Sequence, residues 1–324
     1  MTTRLIIDCD TGTDDAVAIM LAALHPELEL IAVSTTHGNV PLTNTTENTL
    51  RVLDHIGSSV PVFPGAERPL LRTDLPVPRV IANKGNTAFQ VDYLDLPPSH
   101  STAHTISAAQ MIINTFMNPA NTDVVLVAIG PLTNVAHALI EEPRLARRIS
   151  RLVIMGGAHT GGNITPAAEF NFWADPEAAD YVLSAGIRDV VIMPLDATHS
   201  APLTLADCDV FDSLGTPAAL ATSKFTRHRI THDGADFLDP WVPSAPVHDP
   251  LCIAYLIRPE VITSSARYPV FIETRGEKTL GEMLVDTRPW RTAEGTATVA
   301  FAASHEVLRD VLLEAFRIDT GATR

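Results

Sequence analysis

Asp8-Cys9-Asp10-Thr11-Gly12-Thr13-Asp14-Asp15 carries four carboxylates in eight residues, and its surroundings decide how the chain folds. Upstream, Arg4-Leu5-Ile6-Ile7 is short, apolar and β-branched, which predicts a buried strand. Downstream, the apolar run Ala16 to Leu24 predicts a helix. The acids therefore occupy a strand-to-helix turn. Four negative charges on one turn beside apolar segments are costly unless a cation or shifted protonation relieves them. Oxygen ligands at this density suit Ca²⁺ or Mg²⁺, and the same carboxylates are candidates for acid/base work. A plainer reading makes Asp14 and Asp15 caps that favour the positive end of the helix. It explains two acids, not four.

The chain has 324 residues, 46% of them hydrophobic, enough for a large core. It shows no linker and no repeat, so a single domain over 1–324 is the simplest organisation. Net charge is −15, with 23 Lys+Arg against 38 Asp+Glu and no basic run, which argues against a nucleic-acid partner. Cys9, Cys208 and Cys252 are odd in number and far apart, which predicts a reducing compartment without disulfides. Met1-Thr2-Thr3-Arg4 leads straight into the first strand, so no signal peptide is expected. No apolar run reaches transmembrane length. The expectation is a soluble, cytoplasmic protein with no membrane partner.

Strand-like and helix-like stretches alternate. Leu28 to Thr36 predicts a second strand, followed by the turn residues His37-Gly38-Asn39. A helix is expected from Leu42 to Ile56 and a short strand at Val60 to Phe63. Pro64 to Ser101 is rich in Pro and turn formers and reads as an excursion from the core. Further helices are expected at Thr105 to Phe116, Leu132 to Ile140 and Pro176 to Ser184, with strands at Val124 to Ile129, Leu152 to Met155 and Val190 to Met193. Alternation with near-continuous apolar strands predicts an α/β fold: a mostly parallel, doubly wound sheet with helices on both faces. The pattern loosens after Ser200. Ser223 to Val247, with Arg227, His228, Arg229, His232 and Asp233, reads as a mobile flap or a surface loop. Leu251 to Ile257 predicts a helix, Val270 to Glu273 and Leu280 to Asp286 late strands, and Glu306 to Phe316 a closing helix.

In open α/β sheets ligands bind outside the carboxyl ends of the strands, and polar residues gather there. Asp8 and Asp10 share one side of the first strand, so both are placed to meet one ligand, with Cys9 turned to the core. His37 and Asn39 end the second strand, Ile129 and Gly130 the central one, and Met155 the next. The glycine-rich loop after Met155 offers Asn163, Glu169 and Asn171, and His248-Asp249-Pro250 precedes a helix. Each has a plainer reading: the asparagines as turn formers, Gly130-Pro131 as a strand break, His248 as a structural histidine, Asp249 as an N-cap. Their convergence at one sheet edge favours a site.

The motifs are DCDTGTDDA at 8–16, HGN at 37–39, GPLTN at 130–134, MGGA at 155–158, GNITPAAEFN at 162–171 and HDP at 248–250. With them the chain resembles the inosine–uridine-preferring nucleoside hydrolases from Arg4 to about Phe316. The resemblance implies calcium-dependent hydrolysis of the N-glycosidic bond of ribonucleosides, purine or pyrimidine, to ribose and free base. It implies one Ca²⁺ held by Asp10, Asp15 and Asp249 and by the Ile129 carbonyl. It makes Asp10 the general base. It assigns Asp14, Asn39, Asn163, Glu169 and Asn171 to the ribose hydroxyls and the 5′ end, and Met155 to the sugar pocket. It also implies a homodimer or homotetramer with a small-molecule nucleoside as partner. His248, next to the ligand Asp249, is expected to face the leaving base as the main candidate acid or as a hydrogen-bond donor.

The chemistry agrees. N-glycosidic cleavage passes through a sugar cation, one carboxylate activates water, and an acid serves the leaving group. A metal fixes the water and lowers its pKa. The chain departs from the family in two places. A second His in an HG pair is common in relatives, yet Ile81 to Asn86 has none. The flap around 223–240 has Phe225 and Phe237 but no Tyr. Both leave the preferred base open. Two rivals are weighed. Asp8-Cys9-Asp10 fits the Asp-x-Asp of a Mg²⁺-dependent phosphatase of haloacid dehalogenase type, but Gly12 stands where Thr or Val is usual. A non-catalytic calcium- and ribose-binding module would not need Asp10. An EF-hand is excluded by spacing, because Thr13 and Ile19 fall at its Gly and Glu positions.

Overall fold

The computed structural model describes residues 2–77, 79, 91–232 and 242–318. Strand β1 (Thr3–Cys9) is central to an eight-stranded sheet. After helix α1 (Thr13–Leu24), the chain adds β2 (Leu28–Thr35), helix α2 (Leu42–His55) and β3 (Val62–Pro64) on one side of β1. It then crosses over through α3 (Ala108–Met117) to place β4 (Val125–Ala128) on the other side. Helix α4 (Thr133–Glu141), β5 (Arg151–Met155), the short α5 (Phe170–Ala174), α6 (Pro176–Ser184) and β6 (Val190–Met193) extend the sheet outward. All these strands pair in parallel. The winding direction reverses between β1 and β4, and that reversal opens a crevice at their carboxyl ends.

The rest of the chain is more irregular. It runs through α7 (Leu195–Thr198), β7 (Leu203–Thr204), α8 (Leu205–Leu214), α9 (Pro217–His232), β8 (Ser244–Ala245) and α10 (Pro250–Ile257). Then come β9 (Ile262–Tyr268), β10 (Val270–Ile272), β11 (Met283–Val285), β12 (Ala297–Ala303) and α11 (His305–Phe316). β12 joins β6 in parallel, and β9 closes the sheet antiparallel to β12.

The two-residue period of β1 divides the core. Leu5, Ile7 and Cys9 pack with α1, α2, α9, α10 and α11, whereas Ile6 packs with α3, α4 and α6. Helices therefore cover both faces, as the apolar strands predict. No helix among the described residues is long and apolar enough to cross a membrane.

Three expectations change. Ser223 to His232 is not loop: it belongs to α9, whose buried face is Ala218, Ala219, Ala221, Thr222, Phe225 and Thr226. Small and hydroxyl side chains on that face hide the apolar period. The remainder of the expected flap, 233–241, lies outside the described residues, as does Ile81 to Asn86. The late strands at 270 and 283 pair with each other in a separate hairpin. The last two strands of the main sheet are instead Ile262–Tyr268, polar and partly exposed, and the alanine-rich Ala297–Ala303, neither of which carries a strong strand signature.

Candidate active site

Asp10 leaves β1 at the mouth of the crevice. Its Oδ2 accepts from the Asn39 amide at 2.6 Å, and its own amide donates to Asp15 Oδ1 at 3.2 Å. Two glycines make room for it. A Cβ on Gly38 would stand 1.9 Å from Asp10 Oδ2, and one on Gly130 would stand 2.7 Å from Oδ1. The HGN loop and the start of the GPLTN segment thus close around this carboxylate because neither glycine has a side chain. Asn39 also donates through Nδ2 to the Asp10 carbonyl and to Asp15 Oδ2, at 3.3 and 3.4 Å. Arg79 donates to the Gly38 carbonyl.

Asp14 and Asp15, in the first turn of α1, meet Asp249 before α10. Carboxylate oxygens of the three lie within 4.8 Å of one another. Asp15 does cap its helix, accepting from the Gly12 amide at 2.9 Å. Asp249 makes no side-chain cap bond, so the N-cap reading does not account for it. The one ion pair to this trio among the described residues comes from α9, where Arg229 Nη1 stands 3.0 Å from Asp14 Oδ1. Burial, and then the Asp15 charge, pushes the Asp10 carboxyl well above its ordinary range. Burial followed by Asp14 does the same to Asp249. Asp15 is pushed up to about 7 by burial and then Asp14. Carboxylates gathered this closely without enough positive charge hold protons.

The loop after β5 supplies the opposite wall. Glu169 is buried and spent on backbone: Oε1 accepts from the Asn171 amide at 2.8 Å, and Oε2 from Gly157 at 2.8 Å and Phe172 at 3.2 Å. Burial raises its pKa to about 7 against those bonds. Asn171 ties two strand ends together, its Nδ2 donating to the Ile129 carbonyl at 2.9 Å and the Met155 carbonyl at 3.1 Å. Met155 is buried beside it. Asn163 is exposed and its Oδ1 accepts from the Phe170 amide, so here it serves its own loop.

His248 is buried, with Nδ1 2.8 Å from the Thr198 hydroxyl and its ring centroid 5.5 Å from that of His199. Burial and then the Arg229 charge hold it well below the ordinary imidazole range. His37 is a structural histidine: its Nε2 lies 3.1 Å from Thr133 Oγ1, and burial lowers its pKa to about 4.

Residues 5–310 match the family described as inosine-uridine preferring nucleoside hydrolase. The chain belongs to that family. It is a ribonucleoside hydrolase, an enzyme of N-glycosidic cleavage, and the phosphatase reading falls away. The hydrolase is 38% identical over 288 residues to the pyrimidine-specific ribonucleoside hydrolase RihA of Enterobacter sp. (strain 638), covering 88% of each chain. Among solved structures it is similar to a purine-preferring ribonucleoside hydrolase from Gardnerella vaginalis, with a TM-score of 0.86, 28% identity and 98% of each chain covered. An inosine-guanosine nucleoside hydrolase gives a TM-score of 0.82 at 30% identity, covering 97% of this chain and 98% of the other.

The hydrolase departs from the sequence reading at Asp8. Its Oδ1 accepts from Ser34 Oγ at 2.6 Å and Asn134 Nδ2 at 2.8 Å, so it does not join Asp10 at a common ligand. It still faces the other way from Cys9, and there its Oδ1 is taken up by α4 and β2. Asn134 also donates to the Thr35 carbonyl at 3.0 Å and accepts from the Ala66 amide at 2.8 Å. Its neighbour Thr133 donates to Asp175, which takes the Leu70 amide at 2.7 Å. GPLTN is thus a clamp on the segment after β3, a role that the motif by itself does not assign to Thr133 and Asn134. Thr198 carries no sequence signal of its own, and Arg229 stands out in the sequence only as one of the charged residues of the expected flap; tertiary contact gives both their place.

Proposed function

We propose that this hydrolase cleaves ribonucleosides with one Ca²⁺ held by Asp10, Asp15 and Asp249 and by the Ile129 carbonyl. The observation that carries the reading is the gathering of buried Asp14, Asp15 and Asp249, with buried Asp10 bonded to Asp15 through its amide, at the sheet's reversal point, where among the described residues one arginine makes ion-pair contact. An oxygen-only donor set that is short of positive charge fits a hard divalent cation. Asp14, which meets Asp15 and Asp249 in this cluster, shares the cation's field while reading a sugar hydroxyl.

When bound, Ca²⁺ supplies a polarised water and a counter-charge for the sugar diol. Asp10 accepts the proton of the attacking water. Asp14, Asn39, Glu169 and Asn171 are assigned to the ribose hydroxyls, Glu169 and Asn171 through side chains that also bind backbone groups. Asn163, on the outer loop with its Oδ1 held by the Phe170 amide, is assigned to the 5′ end, and Met155 to the sugar pocket. His248, tied through Nδ1 to Thr198, presents its other nitrogen to the base, where it donates a hydrogen bond or a proton. Similarity to pyrimidine-specific relatives at 38% identity supports pyrimidine ribonucleosides as the better substrates.

The test is ribose release from uridine, cytidine, inosine and guanosine, with and without a calcium chelator. Release that the chelator abolishes and added Ca²⁺ restores is the expected result. Full turnover in metal-free enzyme would overturn the calcium reading, and faster inosine than uridine turnover would overturn the pyrimidine preference.

A further inference from the structure

We propose that Arg229 is a catalytic residue for the leaving group: its guanidinium binds the carbonyl oxygen of the departing base and carries the charge that develops there. The proposal rests on the reading of Asp14 and His248 given above. Geometry places the guanidinium first. Nη1 lies 3.0 Å from Oδ1 of Asp14, the acid assigned to a ribose hydroxyl, and the two side chains are only 11% and 10% exposed. Its charge also acts on His248, the residue assigned to the base, and on Asp249. α9, which carries Arg229, packs against α1, which carries Asp14. A cation paired with the sugar-reading acid, and near enough for its charge to act on the base-facing imidazole, is placed to meet the base where it joins the sugar.

The reaction calls for a cation at that point. As the C1′–N1 bond of a pyrimidine nucleoside breaks, its electron pair leaves with the base. Water oxygen bonds to C1′ and its proton passes to Asp10. The departing base is then an anion with charge spread onto its carbonyl oxygens. Arginine keeps its proton at working pH, so Arg229 is not the acid; it offers a planar fork of N–H donors. In a buried site such donors act on developing charge without reorganising. A pyrimidine carries C2=O on the atom next to its glycosidic nitrogen, beside the 2′-hydroxyl. A purine carries its carbonyl far from that bond. Arg229 is therefore a device for pyrimidines. In the resting protein the same guanidinium is paired with Asp14, which keeps it in place until the sugar hydroxyl competes for the carboxylate.

The experiment compares uridine and 4-nitrophenyl riboside in wild type, Arg229→Gln and Arg229→Lys, all reconstituted with Ca²⁺ and read by ribose release. Arg229→Gln is expected to lower kcat on uridine by about 10²-fold, and by about tenfold less on the nitrophenyl riboside, whose leaving anion is already stable. Arg229→Lys, which keeps the charge and loses the fork, should recover part of the uridine rate. Equal losses on the two substrates would mean that Arg229 acts only through Asp14, and would overturn the proposal. So would a rise in KM with kcat unchanged. Circular dichroism checks the fold. Should Arg229→Gln not fold, Arg229→Lys decides, and an equal loss on both substrates in that variant overturns the proposal. Wild-type enzyme that releases ribose from neither substrate would remove the site reading itself, and the role of Arg229 with it.

Discussion

At the scale of single residues, Asp10 has a crowded environment that makes its role testable without disturbing the fold. Its carboxylate accepts the Asn39 amide and is enclosed by Gly38 and Gly130. Asn at this position has the same shape and can still accept that bond. Asp10→Asn should therefore fold normally and lose kcat by about 10²–10⁴-fold, the ordinary worth of a general base, or more if Ca²⁺ is lost too. Single-turnover ribose release together with the bound calcium content measures both. Much of this was legible early: carboxylate density at a strand end needs no tertiary information to stand out. The pairing of Asp14 with Arg229 was not legible, because the two residues are brought together only when α9 packs on α1.

At the scale of elements, the crevice depends on loops that are cross-tied rather than intrinsically rigid. Asn134, in the first turn of α4, joins Asp8 and Thr35 on two strands to Ala66 in the segment beyond β3. Removing its amide leaves those buried groups short of partners, at about 1–3 kcal/mol. Asn134→Ala is therefore expected to lower the unfolding midpoint and also kcat, because Asp8 lies two residues before Asp10. Denaturant unfolding and uridine kinetics check the two losses, and unchanged stability would remove the clamp from the account. The alternation of strand and helix was readable from apolar runs, and β1 to β6 follow it. α9 escaped because its buried face is built of Ala and Thr, and β12 because alanine has little strand preference.

At the scale of the whole molecule, the acidic centre makes stability depend on pH and metal together. Asp15 and Glu169 have pKa values pushed to about 7 in the folded state, and Asp8 to about 6. All exceed their ordinary values of 3.8 or 4.5, so the folded state binds more protons than the unfolded chain between those limits. Stability of the metal-free protein therefore falls as pH rises from about 4 to about 7. Calcium should reverse the trend, since its ligands must be deprotonated. Thermal unfolding with chelator or with Ca²⁺ is expected to give midpoints that diverge as pH rises. Parallel curves would argue against a cation at this centre.

The sequence by itself determined the class of fold, the strand-to-helix turn that holds the acids and the family to which the enzyme belongs. Those properties are local: apolar period, turn chemistry and short motifs are written in neighbouring residues. Tertiary structure alone decided which acids face each other. It sent Asp8 into a hydrogen-bonded clamp and brought Asp249 to Asp14 and Asp15 across more than two hundred residues. It also set Arg229 against the acids from a helix with no visible apolar face. Such pairings depend on how elements pack, and a side chain's partner across the core leaves no mark on its own stretch of chain.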